Sequence, residues 1–507
     1  MPVMDLRQYA AFRNELAAAG GNATQPEFGD PSVLSKGTDW QDALYKRTLL
    51  QNHGFSMSGG TDKTHFYLSG EYFDQDGVAP GSGFQRYSTR LNLDNQARSW
   101  LKVGLNITAS QTKEKVNTTN AGLIELALQQ NPSVPVKNPD GTWGGPASTQ
   151  FQFTNPVMIA NIYNDYNKST AVIGGAYLNI KLAKGLMFYS EVNESLQYYN
   201  YYSFHPGYTA GGFVVPQSAA RSQRSASNNF WWNFNVRLQY DLKIKELHNI
   251  SVMAGHEAQA YQGEGLSGGR INFITNSIQE LSGGDASTIS NVSNNSSRYH
   301  GAQRSFFGRV NYVFNDKYII LGTFRADGSS RFGEEKRWGY FPAVAAAWRI
   351  SQEEFMKGIS AISNLKLRLE YGLSGNQNFG GGGIYAVLQT VPTAWGPGLL
   401  SQNFNNPDLQ WEVAKTANIG FDLHLFKNRI EIIADAYVKN LEKLLTVASD
   451  AYTYGGDIAY SPGWILWQTG NVGTMRNKGF GITINTINVD NKDFTWKTGA
   501  NISVDRH

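Results

Sequence analysis

Hydrophobic and polar residues alternate along most of this chain with a period of two. In "YSTRLNLDNQARSWLKVGLNIT", Tyr87, Thr89, Leu91 and Leu93 point one way and Ser88, Arg90, Asn92 and Asp94 the other. Past "NQARS", Leu101, Val103, Leu105 and Ile107 alternate with Lys102, Gly104, Asn106 and Thr108. Successive side chains of a strand face opposite sides, so this stretch predicts a β-hairpin with one apolar and one polar face. "NLKLRLEYG" sets Leu365, Leu367, Leu369 and Tyr371 against Lys366, Arg368 and Glu370. "NIGFDLHLFKNRIEIIADAYVKN" predicts two strands turning near Lys427-Asn428, and "FFGRVNYVFNDKYIILGTFR" two more turning at Asn315-Asp316. The whole chain predicts about sixteen antiparallel strands, many of them near ten residues long.

Two all-β architectures write such a pattern. In a soluble sandwich or propeller, alternation separates core from water; in a transmembrane barrel, it separates lipid from lumen. Three features favour the barrel. Strands of ~10 residues exceed the ~5–6 usual in soluble sheets. Tyr, Trp and Phe gather at strand ends, as in the aromatic girdles of outer-membrane barrels. Turns also alternate: "DNQARSW", "FNDKY", "FKNR" and "VDNKDF" are tight, whereas the connections around 112–168, 198–229, 260–303 and 441–477 are long. Short turns on one side and long loops on the other are the asymmetry of a bacterial outer-membrane barrel.

Composition agrees with this reading and narrows the chemistry. The 507 residues hold 53 Gly, 26 Tyr and 12 Trp but no Cys, so disulfides, thiolate metal sites and Cys nucleophiles are excluded together. The net charge of +3, from 44 basic and 41 acidic residues, argues against a nucleic-acid partner. The longest apolar candidate, "YFPAVAAAW" (Tyr340 to Trp348), is far short of the ~18 residues of a membrane helix and contains a proline. The opening "MPVMDLRQYAAFRNELAAAGG" lacks the apolar core of a signal peptide. Residues 1–50 therefore read as a lead-in segment with short helical stretches, and 51–507 as barrel.

No catalytic or cofactor signature emerges. "ADGSSRFGEEKRWG" lacks the GxxxxGK[ST] spacing of a phosphate loop and the alternating acidic positions of an EF-hand. "AGHEAQA" contains His256-Glu257 without a second histidine four residues on. Glu334-Glu335 and Glu353-Glu354 are adjacent, and neighbours on a strand face opposite sides, so neither pair is a glycosidase dyad. Neither an enzyme nor a cofactor is expected. The candidate chemistry is binding: Trp143, Trp395, Tyr452, Tyr454, Trp464 and Trp467 fall in the long loops, where aromatic faces can stack on sugar rings or peptide side chains. Arg90, Arg368 and Lys366 are expected to line the lumen. "DGSSRFGEEKRWG" reads as a rim-crossing loop that leads into Trp338, Tyr340 and Phe341 as rim aromatics.

Several segments go beyond pattern. "GTDWQDALYKR" (37–47), "SGGTDKTHFYLSGEYFDQDGV" (58–78), "RYSTRLNLDNQARSWLKVGLNI" (86–107) and "NPDGTW" (138–143) resemble SusC/RagA-like TonB-dependent outer-membrane receptors. So do "FFGRVNYVFNDKYIILGTFRADGSSRFGEEKRWGYFPAVAAAWRISQEEF" (306–355), "ISNLKLRLEYGLSGNQNFG" (362–380), "NPDLQWEVAKTANIGFDLHLFKNRIEI" (406–432) and "GNVGTMRNKGFGITINT" (470–486). The resemblance implies a barrel of about 22 strands, of which about sixteen or seventeen fall within this sequence, with plug and last strands outside it. It also implies uptake of glycans or oligopeptides across the outer membrane of a Gram-negative bacterium, with outer-membrane lipid around the barrel. The expected partners are a SusD-like surface lipoprotein and a TonB complex acting through the plug. A soluble β-rich carbohydrate-binding or adhesion protein and a passive porin are the alternatives.

Overall fold

The computed structural model describes residues 3–145, 153–286, 294–379, 383–385, 388–401, 405–449 and 467–507. The first strands are β1 (Leu50–Gly60), β2 (Thr64–Asp76), β3 (Ser82–Arg98), β4 (Leu101–Val116), β5 (Asn164–Ala183) and β6 (Leu186–His205). A small hairpin of β7 (Tyr208–Ala210) and β8 (Phe213–Val215) precedes β9 (Arg221–Ile244), β10 (His248–Ile271), β11 (Asn295–Phe314), β12 (Tyr318–Ser329), β13 (Trp338–Arg349) and β14 (Ile362–Asn376). Then come β15 (Leu388–Thr393), β16 (Gly396–Ser401), β17 (Glu412–Leu425), β18 (Ile430–Glu442), β19 (Leu445–Ser449), β20 (Trp467–Asn471), β21 (Thr474–Asp490) and β22 (Thr495–Arg506).

Sixteen of these form one sheet in the order β1-β2-β3-β4-β5-β6-β9-β10-β11-β12-β13-β14-β17-β18-β21-β22; β7-β8, β15-β16 and β19-β20 are separate hairpins. Every pairing in the large sheet is antiparallel between chain neighbours, the up-and-down meander of an outer-membrane barrel wall.

The alternation of connections is real. The links 61–63, 99–100, 184–185, 245–247, 315–317, 426–429 and 491–494 lie at one end of the sheet with the twelve-residue link 350–361, and the longest ones lie at the other. Asn315 (φ 49°) and Asp316 (φ 52°) supply the paired left-handed conformations of a tight hairpin turn, as do Lys427 and Asn428. The long connections are shorter than the alternation alone suggests: 117–163, 206–220, 272–294 and 443–473. Strands β5, β6, β9, β10 and β11 run for 20 to 24 residues and carry the ladder well past the membrane.

Burial separates the two faces. Ile320, Phe324, Val344, Leu369, Tyr371, Ile419, Phe480, Ile484 and Ile502 share the outward face and are exposed, as lipid-facing residues must be. Outward aromatics form two belts. Near the short turns, Phe314, Tyr318 and Trp348 stack in a row (centroids 6.2 and 6.4 Å). Nearer the long loops, Phe306 stacks with Trp338 (6.1 Å) and Phe324 with Tyr340 (6.4 Å). Trp338 and Tyr340 are thus the rim aromatics expected from the sequence. Phe341 faces inward instead, because parity along β13 (Trp338–Arg349) places it opposite them.

The short-turn end is pinned by Glu353, whose side chain is 13% exposed. It accepts hydrogen bonds from Tyr318 (2.7 Å), Trp348 Nε1 (3.0 Å) and Lys317 Nζ (3.0 Å). The bond from Tyr318 first, then those from Trp348 and Lys317, hold its carboxyl down at about 2 against an ordinary 4.5. A depressed carboxyl stabilises the fold above its unfolded pKa, and that contribution fades as pH falls toward the folded value. The temperature at which the folded band disappears on a gel should therefore be lower for Glu353→Gln at neutral pH. The two proteins should converge between pH 4.5 and about 2. A difference independent of pH would refute the assignment.

The lead-in folds at the long-loop end. It carries α1 (Leu6–Ala19) and α2 (Trp40–Leu44). Asp5 caps α1 through a capping box with Gln8. The first long connection adds α3 (Asn117–Asn120), α4 (Leu123–Gln129) and α5 (Pro156–Ile162). Trp40, Leu44, Leu123, Ala127, Met158 and Ile159 from these helices form one buried cluster. Trp40 Nε1 donates to the Asn131 carbonyl (3.0 Å) and Thr38 Oγ1 to that of Val134 (2.7 Å).

Candidate functional site

The inner face and the long-loop rim are the surfaces a solute passing the wall would meet. On the inner face, Arg368 of β14 reaches Asp422 (3.0 Å) and Asp435 (3.0 Å) on the next two strands, and Lys366 reaches Asp422 (2.9 Å). Further along, Arg325 bonds Asp327 (2.7 Å) and Ser305 (2.9 Å) and approaches Glu257 (3.6 Å). The lumen-facing cations expected at Lys366 and Arg368 are therefore neutralised within the wall, whereas Arg90 is exposed and bonds Asn92 (3.3 Å). Between the charges lie amides: Gln259 donates to Gln303 (2.7 Å), Gln377 also donates to Gln303 (2.9 Å), and Asn233 donates to Glu257 (3.2 Å). Asn235 Oδ1, Gln377 Oε1 and Asn418 Oδ1 are enclosed behind this face without a hydrogen-bond partner among the described residues.

Two further loop clusters cap the rim. Phe332, from the "DGSSRFG" stretch, is fully buried against Trp411 (5.3 Å) and Phe379 (5.9 Å), with Phe341 and Leu409 completing the cluster. Arg331 donates to the Phe379 carbonyl (2.7 Å), and Trp411 Nε1 to that of Arg337 (2.9 Å). A Cβ at Gly375 would lie 2.1 Å from the Phe341 ring, so that position holds the ring only while it lacks a side chain. The second cluster joins Tyr202, Phe204, Ala220 and Phe273.

Beside it stands an array that the sequence pattern does not reveal. Buried Asp165 meets His205 Nε2 (3.0 Å), Arg221 Nε donates to His205 Nδ1 (3.2 Å), and Tyr163 stacks on the imidazole at 3.8 Å. Burial above all, with the neighbouring Tyr208, pushes the Tyr163 hydroxyl up to about 12. Cross-strand register is the only signal that unites these residues: Asp165 pairs with Ser203, and His205 with Arg221.

The loop aromatics occupy different settings. Trp143 is half-buried against the helical cluster, with Lys137 Nζ 4.4 Å from its ring. Trp395 is 96% exposed at the tip of the β15-β16 hairpin. Trp467 opens β20 opposite Ser449, while Tyr452, Tyr454 and Trp464 lie outside the described residues. Among the described residues, no group of three or more His, Asp or Glu side chains could hold a metal ion.

A sixteen-stranded meander with a lipid-facing outer surface, a polar inner surface and loops gathered at one end defines the wall of an outer-membrane barrel. Residues 30–505 match the family described as TonB dependent receptor-like, beta-barrel, and the chain belongs to that family. Outer-membrane receptors and transporters of Gram-negative bacteria make up this family. Over 92% of its length it is 32% identical to TonB-dependent receptor P3 of Formosa agariphila, covering 46% of that protein. Over 98% it is 27% identical to TonB-dependent receptor SusC of Bacteroides thetaiotaomicron, covering 50%. The fold superposes on the RagAB peptide transporter with a TM-score of 0.83 at 23% identity, over 99% of this chain and 58% of that one. The chain thus spans about half the length of the curated relatives it matches. These relatives are named receptors, not enzymes.

Proposed function

We propose that this chain forms the wall and outer rim of an energy-coupled importer for large nutrients, glycans or oligopeptides. A SusD-like lipoprotein closes the rim, and TonB pulls on a plug held inside the wall. The observation that carries this reading is the inner face: the charges of Arg368, Lys366 and Arg325 are paired within the sheet, and amides such as Asn233, Gln259 and Gln303 lie between them, a polar surface suited to a polar occupant. No bond in the solute needs to break, so the work is done by rearranging the occupant of the lumen. Residues 1–50 act in this reading as a lead-in folded into the rim, and residues 51–507 as wall. Trp143, Trp395, Tyr452, Tyr454, Trp464 and Trp467 are the proposed solute contacts.

The test is uptake of labelled oligosaccharides and oligopeptides by cells carrying the whole receptor. Uptake is expected to vanish when TonB is deleted; uptake that persists would make the barrel a passive porin. Trp395→Ala is expected to raise the half-saturating concentration several-fold with an unchanged folded band, since stacking on one exposed aromatic is worth about 1 kcal/mol. No change would remove Trp395 from the contact set.

A further inference from the structure

The outward face carries three lysines without an ion-pair partner among the described residues, at the height where lipid headgroups lie. On β4, the outward positions Leu101, Val103, Leu105, Ile107 and Ala109 are apolar, followed by Gln111, Lys113 and Lys115. On β5, reading the other way, Ile180, Leu178, Ala176, Gly174 and Val172 give way to Thr170, Lys168 and Tyr166. Leu101 to Ala109 covers about 27 Å of strand, or roughly 20 Å of depth at a ~40° tilt, which matches the apolar band of such barrels. The lysines then stand about 10 Å above that band, in the headgroup layer.

Tyrosines order the cluster. Tyr166 and Tyr202 stack at 4.8 Å, with Lys113 Nζ 4.9 Å and Lys168 Nζ 5.7 Å from the Tyr166 ring. The Arg224 guanidinium lies 3.6 Å from the Tyr202 ring. A cavity of about 870 Å³ opens here, bounded by Tyr166, Lys168, Tyr202, Arg224, Leu266 and Leu281. Glu280 pairs with Arg224 (2.5 Å), and Glu264 with Arg298 (3.4 Å) further along the face. Glu114 faces inward to Asn167 and leaves the three lysines uncompensated.

We propose that Lys113, Lys115 and Lys168, ordered by the Tyr166–Tyr202 stack, bind the phosphate-bearing headgroup of an outer-leaflet glycolipid. Charge complementarity and unbroken continuity with the lipid-facing band select this occupant: its acyl chains lie against Val172, Ala109 and Ile107 while its phosphates meet the ammonium groups. A juxtamembrane lysine contributes about a fivefold factor in affinity for an anionic surface.

The receptor purified from outer membranes should therefore retain tightly bound, phosphorylated lipid A-type glycolipid. In Lys113→Gln/Lys115→Gln/Lys168→Gln, retained glycolipid is expected to fall roughly tenfold or more, while Arg90→Gln, on the inner face, leaves it unchanged. Equal retention in the triple variant overturns the proposal. A second measurement uses the native sequence alone: after delipidation, bisphosphorylated lipid A should bind about tenfold more tightly than its dephosphorylated form, and less so at high salt. Equal affinity for the two forms overturns it. Displacement of the lipid by millimolar inorganic phosphate, or loss of a protein neighbour rather than of lipid in the triple variant, overturns it as well.

Discussion

Phe332→Ala should release the rim loops 330–337 and 405–411 from one another while the wall stays folded. Phe332 is fully buried and touches both Phe379 and Trp411, so truncation leaves a cavity in a small cluster with little else to close it. Phe→Ala changes in packed cores cost about 3–5 kcal/mol, and Phe332 is the ring of this cluster that the 330–337 loop contributes. Limited proteolysis and hydrogen exchange should show cleavage and deprotection confined to those loops, with the heat-modifiable band retained. Unchanged protection would mean that the bonds from the Arg331 and Trp411 side chains to backbone carbonyls hold the loops without the ring.

The second large effect is expected at Arg368. It bridges two carboxylates on successive strands, and Asp422 also pairs with Lys366. Arg368→Ala leaves Asp435 without this partner and Asp422 with one cation instead of two. Losing a charged hydrogen bond and exposing a carboxylate to its neighbour costs about 2–3 kcal/mol. The folded band should melt several degrees lower, and Asp435→Asn in the same chain should restore part of the loss. A melting temperature equal to that of the native protein would show that the lumen-side charges are fully hydrated and independent.

The wall was legible because lipid imposes alternation. Leu101 to Ile107, Leu365 to Tyr371 and Ile419 to Leu425 carry apolar residues at every second position, and the turns at Asn315-Asp316 and Lys427-Asn428 fall where expected. The strand extensions were not legible. In "LQYYNYYSFH" and "RSQRSASNN" neither face needs to be apolar, because beyond the apolar band polar headgroups, water or a loop meet both, and only backbone pairing marks them as strand. The rim interior was equally hidden. Phe332, Leu409 and Trp411 read as exposed loop residues until the loops fold over them. Asp165, His205 and Arg221 are far apart in sequence and meet only through register. Of the candidate contacts, Trp143 and Trp395 differ sharply in burial although both sit in long loops, and sequence carries no signal for that difference.

The buried clusters at the long-loop end share no residues: one joins Leu6 and Ala10 of α1 to Phe28, one joins α2 to α4 and α5, one centres on Phe204 and Phe273, one on Phe332 and Trp411. Substitutions in separate clusters should accordingly add in their effects. Loops packed into one cluster can therefore be altered with the least disturbance to the others. Revision of the rim can then proceed one cluster at a time, on a hairpin frame that never has to be rebuilt.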